Sequence, residues 1–170
     1  MNGVLNKTAN RLERALAALG GLCGWLLLLL VAVQFLIVLA RYLFAVNFLW
    51  LQELAIYLHA SIFMLAMGWS LTADKHVRID IFRERSSAVA RRRVDWLGNL
   101  FFLAPMMIAI GWTSLPYVAQ SWGIYEGSAE ISGLPGLFLL KTLLPVFALL
   151  MLLAGLVRLI RLIRTNGRSA

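Results

Sequence analysis

Four long apolar runs dominate the sequence, and three of them contain no charged residue. These three cover residues 15–40, 54–73 and 96–125, and the fourth, 134–157, is interrupted only by Lys141. A helix of about 20 apolar residues is long enough to cross the hydrocarbon core of a bilayer. Membrane β-strands are disfavoured because no run alternates polar and apolar residues with a period of two. The runs therefore predict four transmembrane helices.

The composition supports lipid as the solvent of these helices. Hydrophobic residues make up 61% of the chain and charged residues only 14%, whereas soluble domains have about 45–50% and 25%. The formal net charge of +8 would suit nucleic acid only if the basic residues shared a folded face. They instead cluster between the apolar runs, so we expect no nucleic-acid partner. The single cysteine, Cys23, excludes a disulfide within the chain.

We therefore predict an all-α integral membrane protein with one four-helix domain over residues 1–170. The predicted spans are residues 15–40, 54–73, 97–121 and 134–157, and the loop 74–95 joins the second to the third. The first run is longer than the apolar part of a secretory signal peptide and no cleavage site follows it. We expect it to remain as an uncleaved first helix.

The basic residues predict the orientation of the chain in the membrane. Fourteen of the 16 Lys and Arg residues fall in the N-terminal segment, the loop 74–95 and the C-terminal tail, whereas Arg41 and Lys141 fall on the other side. Cytoplasmic segments of membrane proteins carry the excess of Lys and Arg. We expect both termini and the loop 74–95 to be cytoplasmic. Anionic membrane lipid would attract the block 91–93.

Few polar residues lie within the predicted spans, and none of them is a carboxylate at depth. Bis-histidine haem ligation by His59 would need a second buried histidine, and His76 lies among charges beyond the second span, so we expect His59 to pack with a hydrogen bond. A small multidrug exporter would need a buried glutamate in its first span, but Glu13 and Glu53 lie outside it. We expect no enzyme activity, no cofactor and no metal site.

Helix packing and ion pairing account for the remaining features. Gly20 and Gly24 are four residues apart, a spacing that lets two helices approach closely. Their contact is either within this chain or with another subunit. Arg41 ends the first span and Glu53 precedes the second, so the two can pair across the short outer hairpin.

Lys141 lies seven residues into the fourth run, about 10 Å along a helix. A lipid-facing lysine at this depth is costly, and Glu126 and Glu130 would face the same way in a helix. We expect Lys141 to turn inward, toward these glutamates or toward a partner subunit. The alternative is that it extends to the outer headgroups.

Several short motifs occur in a fixed order along the chain. They are Arg41-Tyr42-x-Phe44, Trp50-x-x-Glu53, His76-Val77-x-x-Asp80, Ser121-Trp122, Glu126-x-Ser128-x-Glu130-x-x-Gly133-Leu134-Pro135, Leu140-Lys141 and Pro145. This order, over about residues 20–160, resembles the DctQ-like small membrane subunit of tripartite ATP-independent periplasmic (TRAP) transporters. Gln52 departs from the pattern, because many members have a second glutamate there.

The resemblance implies a scaffold subunit in the inner membrane of a bacterium. A large permease subunit, DctM-like, would carry an organic acid with sodium, and a periplasmic substrate-binding protein would deliver it. An alternative function is a membrane-anchor subunit of a redox complex. The candidate structural or interface residues are Arg41, Trp50, Glu53, His76, Asp80, Glu126, Glu130 and Lys141, and the candidates for helix packing are Gly20 and Gly24.

Overall fold

The computed structural model describes residues 2–73 and 88–166, and it describes side chains for 7–73 and 90–162. The helices are α1 (Asn2–Phe44), α2 (Leu49–Thr72), α3 (Ala88–Leu97), α4 (Ala104–Gly123) and α5 (Leu137–Asn166), and a π-helical segment, Gly98–Leu103, joins α3 to α4. Four helical stretches are long and apolar enough to span a membrane: Lys7–Phe44, Leu49–Thr72, Ala90–Gly123 and Leu137–Leu162. The prediction of an all-α protein with four spanning helices is confirmed.

Local backbone chemistry sets two of the helix ends. Ala45 has a φ of 53°, and Tyr125 has a φ of 46°. This left-handed conformation cannot continue a right-handed helix, so α1 ends at Phe44 and α4 ends at Gly123. The π-helical segment ends at Leu103, two residues before Pro105, which has no N–H to donate to the preceding turn.

The fourth spanning helix lies at the centre of the arrangement. The helix α5 packs against both α2 and α4, and α2 also packs against α1. In the most apolar part of each span, 22% of α2 and 28% of α5 is buried, against 11% of α1 and of the α3–α4 span. The outer faces of α1 and α4 are therefore the largest surfaces that the chain offers to lipid or to a partner.

Two apolar clusters hold the helices together. The larger one joins α1, α2, α4 and α5 through Leu16, Leu71, Met107, Ala148, Met151 and Ala154. The smaller one joins α1 to α2 through Val33, Leu51, Ala55 and Leu58. Gly68 lies at the crossing of three helices, because a Cβ there would lie 3.1 Å from Leu16 and 3.3 Å from Leu150. Small residues allow this close packing where lipid supplies no hydrophobic driving force between helices.

The two ends of the bundle differ in what they contain. The turn between α1 and α2 lies at the same end as residues 124–136, as contacts of Glu53 with that segment show. We call this the loop end. At the other end, Arg161 of α5 pairs with Glu13 of α1, and we call it the termini end. Which end faces the cytoplasm stays the prediction made from the basic residues.

Candidate functional site

Polar side chains from three helices meet around residues 124–136 at the loop end. We call Glu53, Ser121, Glu126, Ser128 and Lys141 the loop cluster. Glu53 comes from α2, Ser121 from the end of α4 and Lys141 from the second turn of α5. Glu126 and Ser128 come from the loop itself. The cluster thus connects the loop to three of the four spanning helices.

Lys141 pairs with Glu126 rather than with Glu130. The Lys141 ammonium donates to Glu126 Oε2, and it lies 4.1 Å from the centre of the Tyr117 ring on α4. The side chain of Lys141 is 12% exposed and that of Glu126 is 30% exposed. A charge-assisted hydrogen bond and a cation–π contact thus replace the water that the ammonium would otherwise bind.

Glu126 has a second donor, because Ser121 Oγ donates to its Oε2 at 2.6 Å. Ser121 is only 1% exposed. The hydrogen bond from Lys141 lowers the pKa of Glu126 below its usual value of 4.5, and the hydrogen bond from Ser121 lowers it further. Both donors favour the charged carboxylate, so Glu126 is an anion at neutral pH.

Glu53 is held by neutral donors. The Ser128 hydroxyl donates to Glu53 Oε1, and the Leu134 N–H donates to Oε2 at 2.6 Å. Ser128 also accepts from the Glu130 N–H at 3.1 Å. The Glu53 carboxylate of α2 therefore holds two separate positions, Ser128 and Leu134, of the loop that joins α4 to α5.

The approach of Glu53 to this loop requires a glycine at position 133. A Cβ on Gly133 would clash with Ser128 and would lie 2.7 Å from Glu53 Oε1. The Ser128 N–H also donates to the Leu134 carbonyl at 3.0 Å. A side chain at 133 would therefore separate the partners of Glu53.

The structure corrects the expected pairing of Arg41 with Glu53. No ion pair joins these two described residues, because Ser128 and Leu134 occupy the Glu53 carboxylate. Arg41 instead lies exposed beside a groove between α1 and α2. Glu126 and Glu130 would face the same way only in a helix, and residues 124–136 are not helical.

The structure also corrects the expectation that His59 packs with a hydrogen bond. Its side chain is exposed on the same groove as Arg41, and no hydrogen bond of the described residues involves it. The adjacent Leu58 occupies the inward face of α2 and is 8% exposed. Since consecutive helical residues point about 100° apart, His59 faces outward.

Among the described residues, the side chains of the other predicted site residues take no part in the loop cluster, although the Glu130 N–H donates to Ser128 Oγ. Trp50 is exposed at the start of α2, with its ring centre 6.4 Å from that of Phe48, and Glu130 is exposed. His76 and Asp80 lie outside the described residues. Gly20 packs on α2, since a Cβ there would lie 2.5 Å from the Trp69 ring, whereas a Cβ on Gly24 would meet nothing within 4 Å.

Sequence reasoning missed three residues of this site as individual contributors. Ser121, Ser128 and Gly133 occur in the motif used for the family resemblance, but nothing in their spacing indicates which group they contact. At the termini end it also did not single out Asn99, which is 5% exposed and donates to the Gly155 carbonyl at 2.7 Å. The position of Asn99 inside an apolar run could have indicated this contact, because a buried side-chain amide needs a hydrogen-bond partner.

The termini end has its own ion pairs. Arg158 of α5 donates to Asp95 of α3 at 2.9 Å, and Arg161 pairs with Glu13 of α1. Both ends of the bundle are thus fixed by charged residues at the boundaries of the spans. The described residues contain no group of three His, Cys, Asp or Glu side chains able to hold a metal.

Comparison with known proteins gives one match. A model of the family described as tripartite ATP-independent periplasmic transporters, DctQ component, matches residues 30–165. The matched range includes the whole loop cluster and parts of all four spanning helices. Searches of curated proteins and of solved structures found no match.

Proposed function

Because the chain belongs to the DctQ family of TRAP transporter components, we propose that it is the scaffold subunit of a sodium-coupled uptake system for an organic acid. A large permease subunit would carry the substrate and sodium, and a periplasmic substrate-binding protein would deliver the substrate. The main support for this proposal is the family match, which covers 136 of the 170 residues. The match gives no support to the alternative of a redox-complex anchor.

The positions of the carboxylates support a scaffold role. A sodium site inside a membrane protein needs oxygen ligands, and charged ones at depth mark ion pathways. The described carboxylates lie at the boundaries of the spans, and Glu13, Asp95 and Glu126 are each paired with a basic residue. A coupling ion would therefore bind in the large subunit.

The loop cluster supports the same role. Rigid attachment of residues 124–136 to α2, α4 and α5 gives a fixed surface at the loop end of the bundle. In the orientation predicted from the basic residues, this surface faces the periplasm. It is then available to the binding protein or to the large subunit, while the exposed faces of α1 and α4 remain for lipid and helix contacts.

Reconstitution into liposomes tests whether transport depends on the large subunit and whether this chain acts as its scaffold. We expect no sodium-driven uptake when this chain and the binding protein are present without the large subunit, and uptake when all three are combined. Omitting only this chain should abolish or strongly reduce uptake, because the large subunit loses its scaffold. Uptake by this chain without the large subunit, above that of empty vesicles, would contradict the proposal.

A further inference from the structure

A groove of about 570 Å³ lies between α1 and α2, lined by residues of both helices. Its polar lining residues are Gln34, Arg41, Gln52 and His59, and the rest of the lining is aliphatic or alanine. On α1 the groove follows positions 30, 34, 37, 38 and 41, which form one helical face. The groove is therefore a feature of the α1–α2 pair and is separate from the loop cluster.

The polar residues of the groove lie at two depths. Arg41 is three residues from the end of α1, and Gln52 is three residues from the start of α2. Gln34 and His59 are each seven residues farther into their helices, about 10 Å deeper at 1.5 Å per residue. The groove thus has a cation near the membrane surface and two neutral polar groups below it.

Three of these four polar side chains have no partner among the described residues. The Gln52 side chain donates to Asn47, but no side-chain hydrogen bond or ion pair between described residues involves Gln34, Arg41 or His59. The nearest carboxylate in the sequence of the hairpin, Glu53, is held by Ser128 and Leu134. Polar groups that face hydrocarbon without a partner are costly.

We propose that this groove binds one phospholipid of the leaflet at the loop end, with its phosphate on Arg41. A phospholipid places its phosphate at the membrane surface and its ester carbonyls on the acyl-chain side, which is the direction in which Gln34 and His59 follow Arg41. Guanidinium and phosphate form two parallel hydrogen bonds, while an amide N–H or a ring N–H donates to an ester carbonyl.

The chemistry favours a lipid over a helix of another protein. A helix in this groove would need an acidic residue at the level of Arg41 and, about two turns deeper, partners for Gln34 and His59. Every phospholipid already carries its anion at the correct level. Ile56, which lines the groove, is 58% exposed, and Phe35 beside it is 64% exposed, so the groove opens toward the outside of the bundle.

Native mass spectrometry of the full-length protein in detergent tests the proposal. Phosphatidylglycerol and a diacylglycerol with the same acyl chains are titrated onto the wild type, Arg41→Gln, Gln34→Leu and Arg14→Gln. Arg14 is an exposed arginine of α1 at the termini end, so Arg14→Gln is the matched control. We expect the Kd for the most tightly bound phosphatidylglycerol molecule to rise at least tenfold in Arg41→Gln and several-fold in Gln34→Leu. It should change less than twofold in Arg14→Gln.

Three results would overturn the proposal. They are equal phosphatidylglycerol binding by Arg41→Gln and the wild type, binding of diacylglycerol as tight as that of phosphatidylglycerol, and loss of the lipid when the large subunit is bound. The last result would identify the groove as a protein interface. A thermal melt of each variant checks folding, and Gln34→Leu supplies the comparison if Arg41→Gln does not fold.

Discussion

At the scale of single residues, the stability of the loop end depends on the partners of each charged side chain. Lys141 has a carboxylate and an aromatic face, and Glu53 has a hydroxyl and a backbone N–H. Neither is isolated, although both lie in helices that cross the membrane. Pairing removes the cost of a charge near hydrocarbon, and removing one partner leaves the other uncompensated.

The first residue-scale prediction is that Lys141→Met lowers the thermal stability of the purified protein by several degrees. Glu126 keeps its bond from Ser121 but loses its cation. Glu126→Gln should have a similar effect, and the double variant should lose less than the sum of the two, because the residues act as a pair. Glu130→Gln is the matched control and should leave the melting temperature unchanged. An unchanged melting temperature of Lys141→Met would contradict the stabilising role of the Lys141–Glu126 pair.

The second residue-scale prediction is a pH dependence from Glu126. Its pKa is lowered in the folded protein from the usual 4.5, so the unfolded chain binds more protons on the acidic side of that value. The stabilisation is therefore complete well above pH 4.5 and is lost as the pH falls through the folded pKa. Melting temperatures measured between neutral and acidic pH should converge for the wild type and Glu126→Gln at low pH. A constant difference across this range would contradict the prediction.

At the scale of helices, the contact between α1 and α2 combines apolar packing with one close approach. Gly20 lies against the Trp69 ring, and farther along the same helices Val33 packs with Leu51, Ala55 and Leu58. The groove that contains Arg41 runs along the same stretch of the two helices, and Ala55 belongs both to the cluster and to the lining of the groove. The close packing of these residues thus limits where a space the size of a ligand can exist between α1 and α2.

The element-scale prediction compares two glycines on α1. Gly20→Ala should destabilise the protein by about 1–3 kcal/mol, the usual range for overpacking, because the new methyl group would overlap the Trp69 ring. Gly24→Ala should be neutral or slightly stabilising, since its Cβ would meet nothing within 4 Å and alanine is the better helix former. Thermal or denaturant unfolding of the isolated chain measures both. Equal destabilisation by the two changes would show that Gly20 does not pack as described.

At the scale of the whole molecule, charged residues fix both ends of a bundle whose centre is apolar. The loop cluster holds one end, and the pairs Asp95–Arg158 and Glu13–Arg161 hold the other. The fourth spanning helix takes part at both ends, through Lys141 and the two arginines. This arrangement supports the scaffold role that we propose for the chain.

The whole-molecule prediction concerns orientation. Fusions of alkaline phosphatase, which is active only after export, should be active after Gly127 and inactive after Ser87. The partition of the basic residues requires this result. A cytoplasmic reporter at the same two sites should give the opposite pattern. Phosphatase activity after Ser87 would reverse the predicted orientation.

The sequence by itself determined the number of spanning helices, because an uncharged run of 20 or more residues in lipid has helix as its stable form. It also carried the ordered motifs on which the family resemblance rested, and it marked Lys141 as a residue that needs a partner. These properties depend on local composition and order, which a linear chain displays directly.

Only the tertiary structure decided which groups meet. Glu53 contacts Ser128 and Leu134, more than 70 positions away, and this contact removes the local partner that the sequence suggested for Arg41. The choice of Glu126 over Glu130 depends on a loop backbone that includes the left-handed Tyr125. Such contacts arise from the packing of α2 and α4 against α5, and spacing along the chain does not encode the relative rotation of packed helices.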